Sequence, residues 1–178
     1  MHPTLVVVGG LPGTGKSTLA DGLAARLDVP VFNKDWIEAS LRRDGITPGP
    51  DSWRVAEHLL TTLAGRQLRR RQSAILDTVA RPAESRAAWR TLADDADARF
   101  RLIECVCSDA ALHRRRVVGR DRGIPDWDEL TWTDVEDVRA RTTPWAEPRL
   151  VLDATRPAAE NLDAALRYVT RDVPVGTP

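Results

Sequence analysis

Cysteine, lysine, histidine and long apolar runs are all scarce in this chain of 178 residues, and each scarcity excludes something. Two cysteines, Cys105 and Cys107, cannot build a disulfide framework, and no zinc-type spacing exists. Lying i, i+2 on an expected strand, they share one face and read as core residues. Three histidines, His2, His58 and His113, are scattered and predict no metal site. No apolar run approaches the roughly 20 residues that a membrane-spanning helix needs. The first expected strand starts almost at once, leaving no room for a signal peptide, so a cytoplasmic protein is expected. Charge of one sign is missing too. The 26 basic and 26 acidic residues cancel, and no global field draws the chain to nucleic acid or a membrane. Lys16 and Lys34 are the only lysines among many arginines.

What is present is a phosphate-binding loop. Gly10-Leu11-Pro12-Gly13-Thr14-Gly15-Lys16-Ser17 fits the spacing G-x-x-x-x-G-K-[ST] without a gap. Its glycines let successive N–H groups turn into one concavity, and the following helix adds its positive end. Lys16 can reach the β- and γ-phosphates, and the Ser17 hydroxyl can hold Mg²⁺. Gly10, Pro12, Gly13, Thr14, Gly15, Lys16, Ser17 and Thr18 are the expected nucleotide contacts. Context agrees with the motif. Leu5-Val6-Val7-Val8 reads as a buried parallel strand, and Leu19, Leu23 and Leu27 recur at helical spacing.

Further along, Val29 to Phe32 predicts a second strand and Trp36 to Arg43 a helix. A Gly- and Pro-rich loop over 44–50 precedes a long helix, capped by Asp51 or Ser52, with Val55, Leu59, Leu60, Leu63 and Leu68 on one face. Ser73 to Asp77 is a third expected strand, Pro82 opens a helix, Phe100 to Cys107 is a fourth strand, and Ser108-Asp109 caps an arginine-rich helix. The polar stretch 119–126 offers few apolar anchors and is expected to be mobile. Thr133 or Asp134 starts another helix. Leu150 to Asp153 is a fifth strand, Pro157 to Val169 a closing helix, and 173–178 a frayed tail. Strands alternating with helices predict one α/β domain over 1–178, a five-stranded parallel sheet covered on both faces. Ligands of such sheets sit at the C-terminal strand ends, where Asp35 and Asp77 should lie beside the loop.

Size, loop position and the arginine-rich segment make the chain resemble the small P-loop kinases: chloramphenicol phosphotransferase, zeta-toxin-type kinases and the kinase domain of polynucleotide kinase. The resemblance implies a nucleoside-monophosphate-kinase-like fold, ATP and Mg²⁺ as cofactors, and Asp35 as base toward an acceptor hydroxyl. Phosphoryl transfer independently calls for a carboxylate that orients the hydroxyl and accepts its proton. The plainer alternative, set behind the catalytic one, is that Asp35 merely caps the helix after it. Asp77 closes its strand like a Walker B carboxylate and would hold Mg²⁺ with Ser17, unless it merely caps a turn. Arg81 could grip an anionic or hydroxyl-rich acceptor. The resemblance also implies a lid over 119–126 carrying Arg116, Arg120 and Arg122, with Arg120 as the transition-state contact.

Polynucleotide kinases resemble one another in a D-x-x-R pattern, and here Asp35-Trp36-Ile37-Glu38 ends in an acid. Glu38 would repel a phosphodiester and favours a small, uncharged or cationic acceptor. Six tryptophans outnumber the other aromatics; Trp36 and Trp53 flank the acceptor side and could stack on a base or aglycone, or simply pack. The resulting expectation is a kinase for a hydroxyl of an antibiotic- or nucleoside-like molecule. A polynucleotide kinase is disfavoured by Glu38 and the neutral charge. A nucleotide-dependent switch or assembly ATPase is the rival from another class.

Overall fold

Strand β1 (Thr4–Gly9) is buried along its whole length, and its unbroken apolar run puts it at the centre of a five-stranded parallel sheet. The computed structural model describes residues 2–171. The strands run β2–β3–β1–β4–β5, with β2 at Val31–Asn33, β3 at Ala74–Asp77, β4 at Arg99–Val106 and β5 at Leu150–Asp153. Asp77 stands in register with Val8 on one side and Asn33 on the other, so three strands end level beside the phosphate loop.

Helices cover both faces: α1 (Lys16–Leu27), α2 (Lys34–Arg43), α3 (Pro50–Arg69), α4 (Ala83–Asp95), α5 (Ala110–Val117), α6 (Trp132–Ala140) and α7 (Ala158–Thr170). The period-two alternation of a strand splits the core in two. Val6, Val8, Ile75 and Ile103 pack with Leu23 of α1 and Val169 of α7. Leu5, Val7, Leu76 and Leu102 pack with Leu60 and Leu68 of α3 and Trp89 of α4. Each such side chain contributes about 1.5–3 kcal/mol by leaving water.

Several boundaries differ from the sequence expectation, each for a local reason. Helix α2 starts at Lys34 rather than Trp36, because the Asn33 side chain caps it by accepting from the Asp35 and Trp36 N–H groups. Helix α3 starts at Pro50, a residue suited to the first helical position, while Ser52 Oγ accepts from the Gly49 N–H at 3.0 Å. Its buried stripe is Ala56, Leu60, Ala64 and Leu68; Leu59 and Leu63 face solvent. Helix α6 is capped by Thr131, not by Thr133 or Asp134. Cys105 is buried as expected, but Cys107 lies beyond the end of β4, half-exposed. The tail at 173–178 falls outside the described residues.

One buried arginine positions the far side of the site. The Arg86 guanidinium donates to the carbonyls of Ala80 at 2.9 Å, Arg81 at 3.1 Å and Pro144 at 3.1 Å, and pairs with Glu147 at 2.8 Å. It thereby fixes the strap 142–147 against the loop after β3, and Trp145 packs on Gly9, where a Cβ would collide with its ring.

Candidate functional site

The phosphate loop leaves β1 through Gly10, whose φ of +132° only glycine adopts freely, and an added Cβ would run into the Cys105 carbonyl oxygen. Gly13 and Gly15 also have positive φ, 84° and 85°. Gly15 caps α1 without a side-chain bond, which leaves the first N–H groups of the helix free for an anion. Thr14 Oγ1 donates to the Leu11 carbonyl at 2.8 Å and Lys16 Nζ to the same oxygen at 3.0 Å. His113, buried on α5, donates from Nε2 to the Pro12 carbonyl at 2.7 Å and stacks edge-on against Trp132. No sequence signal pointed to His113; its role comes from a contact across 101 residues.

The carboxylates arrive as expected, at the strand ends. Asp77 is buried, and its Oδ2 accepts from Asn33 Nδ2. Burial pushes its carboxyl up, against the opposing pull of Lys16 and a Ser17 hydrogen bond. Burial likewise pushes Lys16 down, while Asp77 and Asp35 oppose that shift. For Asp35, burial would raise the carboxyl, but Lys34, Arg122 and Lys16 outweigh it and hold it below the usual range. Because Asn33 is the α2 cap, the capping role for Asp35 is overturned: its carboxylate accepts from Arg122 Nη1 at 2.7 Å. Asp77 and Ser17 fit a divalent cation, since a buried carboxylate and a hydroxyl supply the hard oxygen ligands it takes. No cluster of three or more His, Cys, Asp or Glu exists among the described residues, so phosphate oxygens and water would complete its shell.

Asp77→Asn should therefore raise the thermal midpoint at neutral pH. A carboxyl whose folded pKa is raised favours the fold below its unfolded value and loses that advantage as pH rises through the folded one. The gain should shrink on acidification; an equal or lower midpoint at pH 7 contradicts the view that burial outweighs Lys16 and Asn33 at Asp77.

The lid segment differs from the expectation of a mobile stretch. Ile124 is a buried apolar anchor, and the arginines find anions within the chain. Arg122 donates from Nε to Glu129 at 3.2 Å while its Nη1 holds Asp35, and its backbone N–H also donates to Glu129 at 2.9 Å. Arg120 approaches the same carboxylate at 3.6 Å, and Arg43 pairs with Asp126 at 2.8 Å. Trp127 lies between Arg42 and Arg122, 4.2 and 5.1 Å from its ring centre. Burial pushes the Arg120 guanidinium down, helped by repulsion from Arg122. Glu129→Gln should release this fork and speed tryptic cleavage after Arg120 and Arg122 severalfold; unchanged cleavage rates would leave Ile124 as the anchor that matters.

On the acceptor side the outcome is mixed. Trp36 is 49% exposed on the surface of α2. Trp53 carries Arg81, whose Cζ lies 4.8 Å from its ring centre. Glu38 does not face outward as expected. It is buried against Lys34, accepts from Ser52 Oγ at 3.0 Å and lies 3.5 Å from Arg42 Nη2. The argument for an uncharged or cationic acceptor therefore lapses. On the other side of the phosphate loop, Thr18, Arg116, Arg120, Ala154 and Asn161 line a groove of about 630 Å³, large enough for a nucleoside.

Comparison places this geometry among known proteins. A family model described as AAA domain matches residues 5–145. Uncharacterized proteins of Mycobacterium tuberculosis and Mycobacterium bovis are 33% identical over 134 residues, covering 68% of this chain and 26% of theirs. The chain thus spans about a quarter of the length of the curated relatives it matches. Among solved structures, a candidate kinase from Chloroflexus aurantiacus aligns with a TM-score of 0.74 at 24% identity, covering 96% of this chain and 100% of that one. A gluconokinase from Sinorhizobium meliloti aligns at 0.67 and 19%, covering 94% and 91%. The Mycobacterium tuberculosis APS kinase in complex with AMPPNP and APS aligns at 0.66 and 21%, covering 96% and 99%.

Proposed function

The chain belongs to the family described as AAA domain and has the fold of small P-loop kinases, and on that premise we propose an ATP- and Mg²⁺-dependent phosphotransferase acting on a hydroxyl of a small molecule, antibiotic- or nucleoside-like. In this reading the chain acts as a single kinase domain, with 119–126 as its lid and the cytoplasm as its compartment. The observation that carries the reading is convergence: Asp77 stands in register with Val8, just before the phosphate loop, and with Asn33, two residues before Asp35, which in turn binds Arg122 of the lid. A loop for phosphates, a carboxylate for a cation, a base and a lid arginine meet at one strand edge.

In this reading Asp35 orients the acceptor hydroxyl and takes its proton as the new O–P bond forms and the bond to the leaving nucleoside diphosphate breaks. Asp35 is ionised well below neutral pH, as a base must be, but Arg122 has to let it go first. Lys16 and Arg120 then neutralise charge gathering on the transferred group. Mg²⁺, held by Ser17 and Asp77, would supply further charge neutralisation at the phosphates. Incubation with γ-labelled ATP and panels of antibiotics, nucleosides, sugars and oligonucleotides tests the reading. Label should move to a hydroxyl compound; label released only as inorganic phosphate would favour a switch ATPase.

A further inference from the structure

On the acceptor side, Arg81 is a guanidinium without an ion-pair partner among the described residues. It is half-buried over the face of Trp53, and no described carboxylate lies within ion-pair distance of it. Its charged surroundings are Arg141, Glu57 and Glu38. Glu38 is already engaged by Lys34, Arg42 and Ser52. Glu57 is pushed up by burial and keeps Oε1 buried without a partner. Arg141 meets only Asp137, in an exposed pair 3.8 Å apart that is worth little in water. Lys34 and Arg42 are paired with Glu38, Asp35 and Asp128, which leaves the Arg81 guanidinium without an ion pair of its own.

Like charges do not stay close without a reason. Here the backbone holds them: Thr143 N–H donates to the Arg81 carbonyl at 3.1 Å, and Arg86 binds that same carbonyl and the Pro144 carbonyl. The strap that follows Arg141 is therefore fixed beside Arg81 by contacts that neither side chain makes. A guanidinium stacked on an aromatic ring with its donors free, and with the backbone next to Arg141 bonded to its own, is built to take the oxygens of an anion.

We propose that Arg81 and Arg141 form the anion-binding end of the acceptor site, with Trp53 as its floor. The acceptor then carries an anionic oxyacid group, phosphate, sulfate or carboxylate, remote from the hydroxyl that is phosphorylated. This rests on the reading of Asp35 as the base at the other end of the same site. It also reverses the expectation of an uncharged or cationic acceptor.

The test reads binding rather than turnover. The protein is saturated with Mg²⁺ and AMPPNP, so that the phosphate loop is filled, and its thermal midpoint is followed against glycerol 3-phosphate, sodium sulfate or glycerol at matched ionic strength. Glycerol 3-phosphate and sulfate should raise the midpoint and glycerol should not. Arg81→Gln and Arg141→Gln should each weaken the apparent affinity about tenfold or more, the scale of a hydrogen bond to a charged group. Both variants keep the fold, because Arg86 and Thr143 bind the Arg81 backbone and Arg141 is exposed. An anion response equal in wild type and Arg81→Gln, or absent in wild type, overturns the proposal. A missing response to AMPPNP itself would count against the kinase reading instead. The anion titration is then read in Lys16→Ala, whose phosphate loop has lost its cation, and its outcome decides the Arg81 site on its own.

Discussion

Replacing Lys16 by alanine is expected to lower kcat by at least about 10²-fold while the protein stays folded, on the scale of a removed electrostatic stabiliser. The side chain serves no core: its one hydrogen bond is to the Leu11 carbonyl in the loop, and both hydrophobic clusters form without it. Its charge, by contrast, is shared between Asp77 and Asp35 and opposed by Arg120. Removing it strips the phosphates of their nearest cation and leaves two carboxylates without a common partner. Single-turnover transfer of labelled phosphate, alongside circular dichroism, checks both halves. Near-normal turnover, or a chain that unfolds, would remove Lys16 from the mechanism.

Asp35→Asn should keep nucleotide binding and slow transfer by roughly 10²–10⁴-fold, the usual contribution of a positioned base. The cap on α2 belongs to Asn33, so the substitution leaves the helix start intact; Asn33→Ala is the change that should cost about 0.5–2 kcal/mol there. The pH dependence follows from the sign of the shift. A carboxyl held below its unfolded value adds stability above that value and loses it as pH falls through the folded one. Activity carried by Asp35 should therefore persist from neutral pH down through the ordinary carboxylate range and fail only in stronger acid. A variant with normal turnover and lowered stability would return Asp35 to a purely structural role.

The sequence was legible wherever chemistry is local. The phosphate loop carries its own conformation in its glycines, and β1 announces its central place by having no polar residue between Leu5 and Val8. The strand-end position of Asp35 and Asp77 followed from the α/β alternation. What escaped was whatever depends on contacts distant in sequence. Glu38 read as an acid facing an acceptor, because nothing near it shows that Lys34, Arg42 and Ser52 close around it. The lid read as mobile because Glu129, the anion for its arginines, comes after the segment and belongs to no motif. His113 and Arg86 gave no signal at all, since their partners lie 101 and about 60 residues away. Asn33 and Thr131 as caps, and Pro50 as a first helical residue, were misses that local propensity could have supplied.

The order of the strands sets a schedule for synthesis. The strand that leaves the ribosome first, β1, is the middle one of the sheet, and its neighbours β3 and β4 end at Asp77 and Val106. At about 5–20 residues per second, β1 waits roughly 3–14 seconds for β3 and longer for β4. During that interval Leu5-Val6-Val7-Val8 has no edge to pair with, and the loop behind it has neither the Val79 carbonyl that binds Gly10 nor the histidine that binds Pro12. A nascent chain is thus unable to form its complete phosphate cradle until His113 has been made, and the apolar strand β1 is the segment that a chaperone would meet.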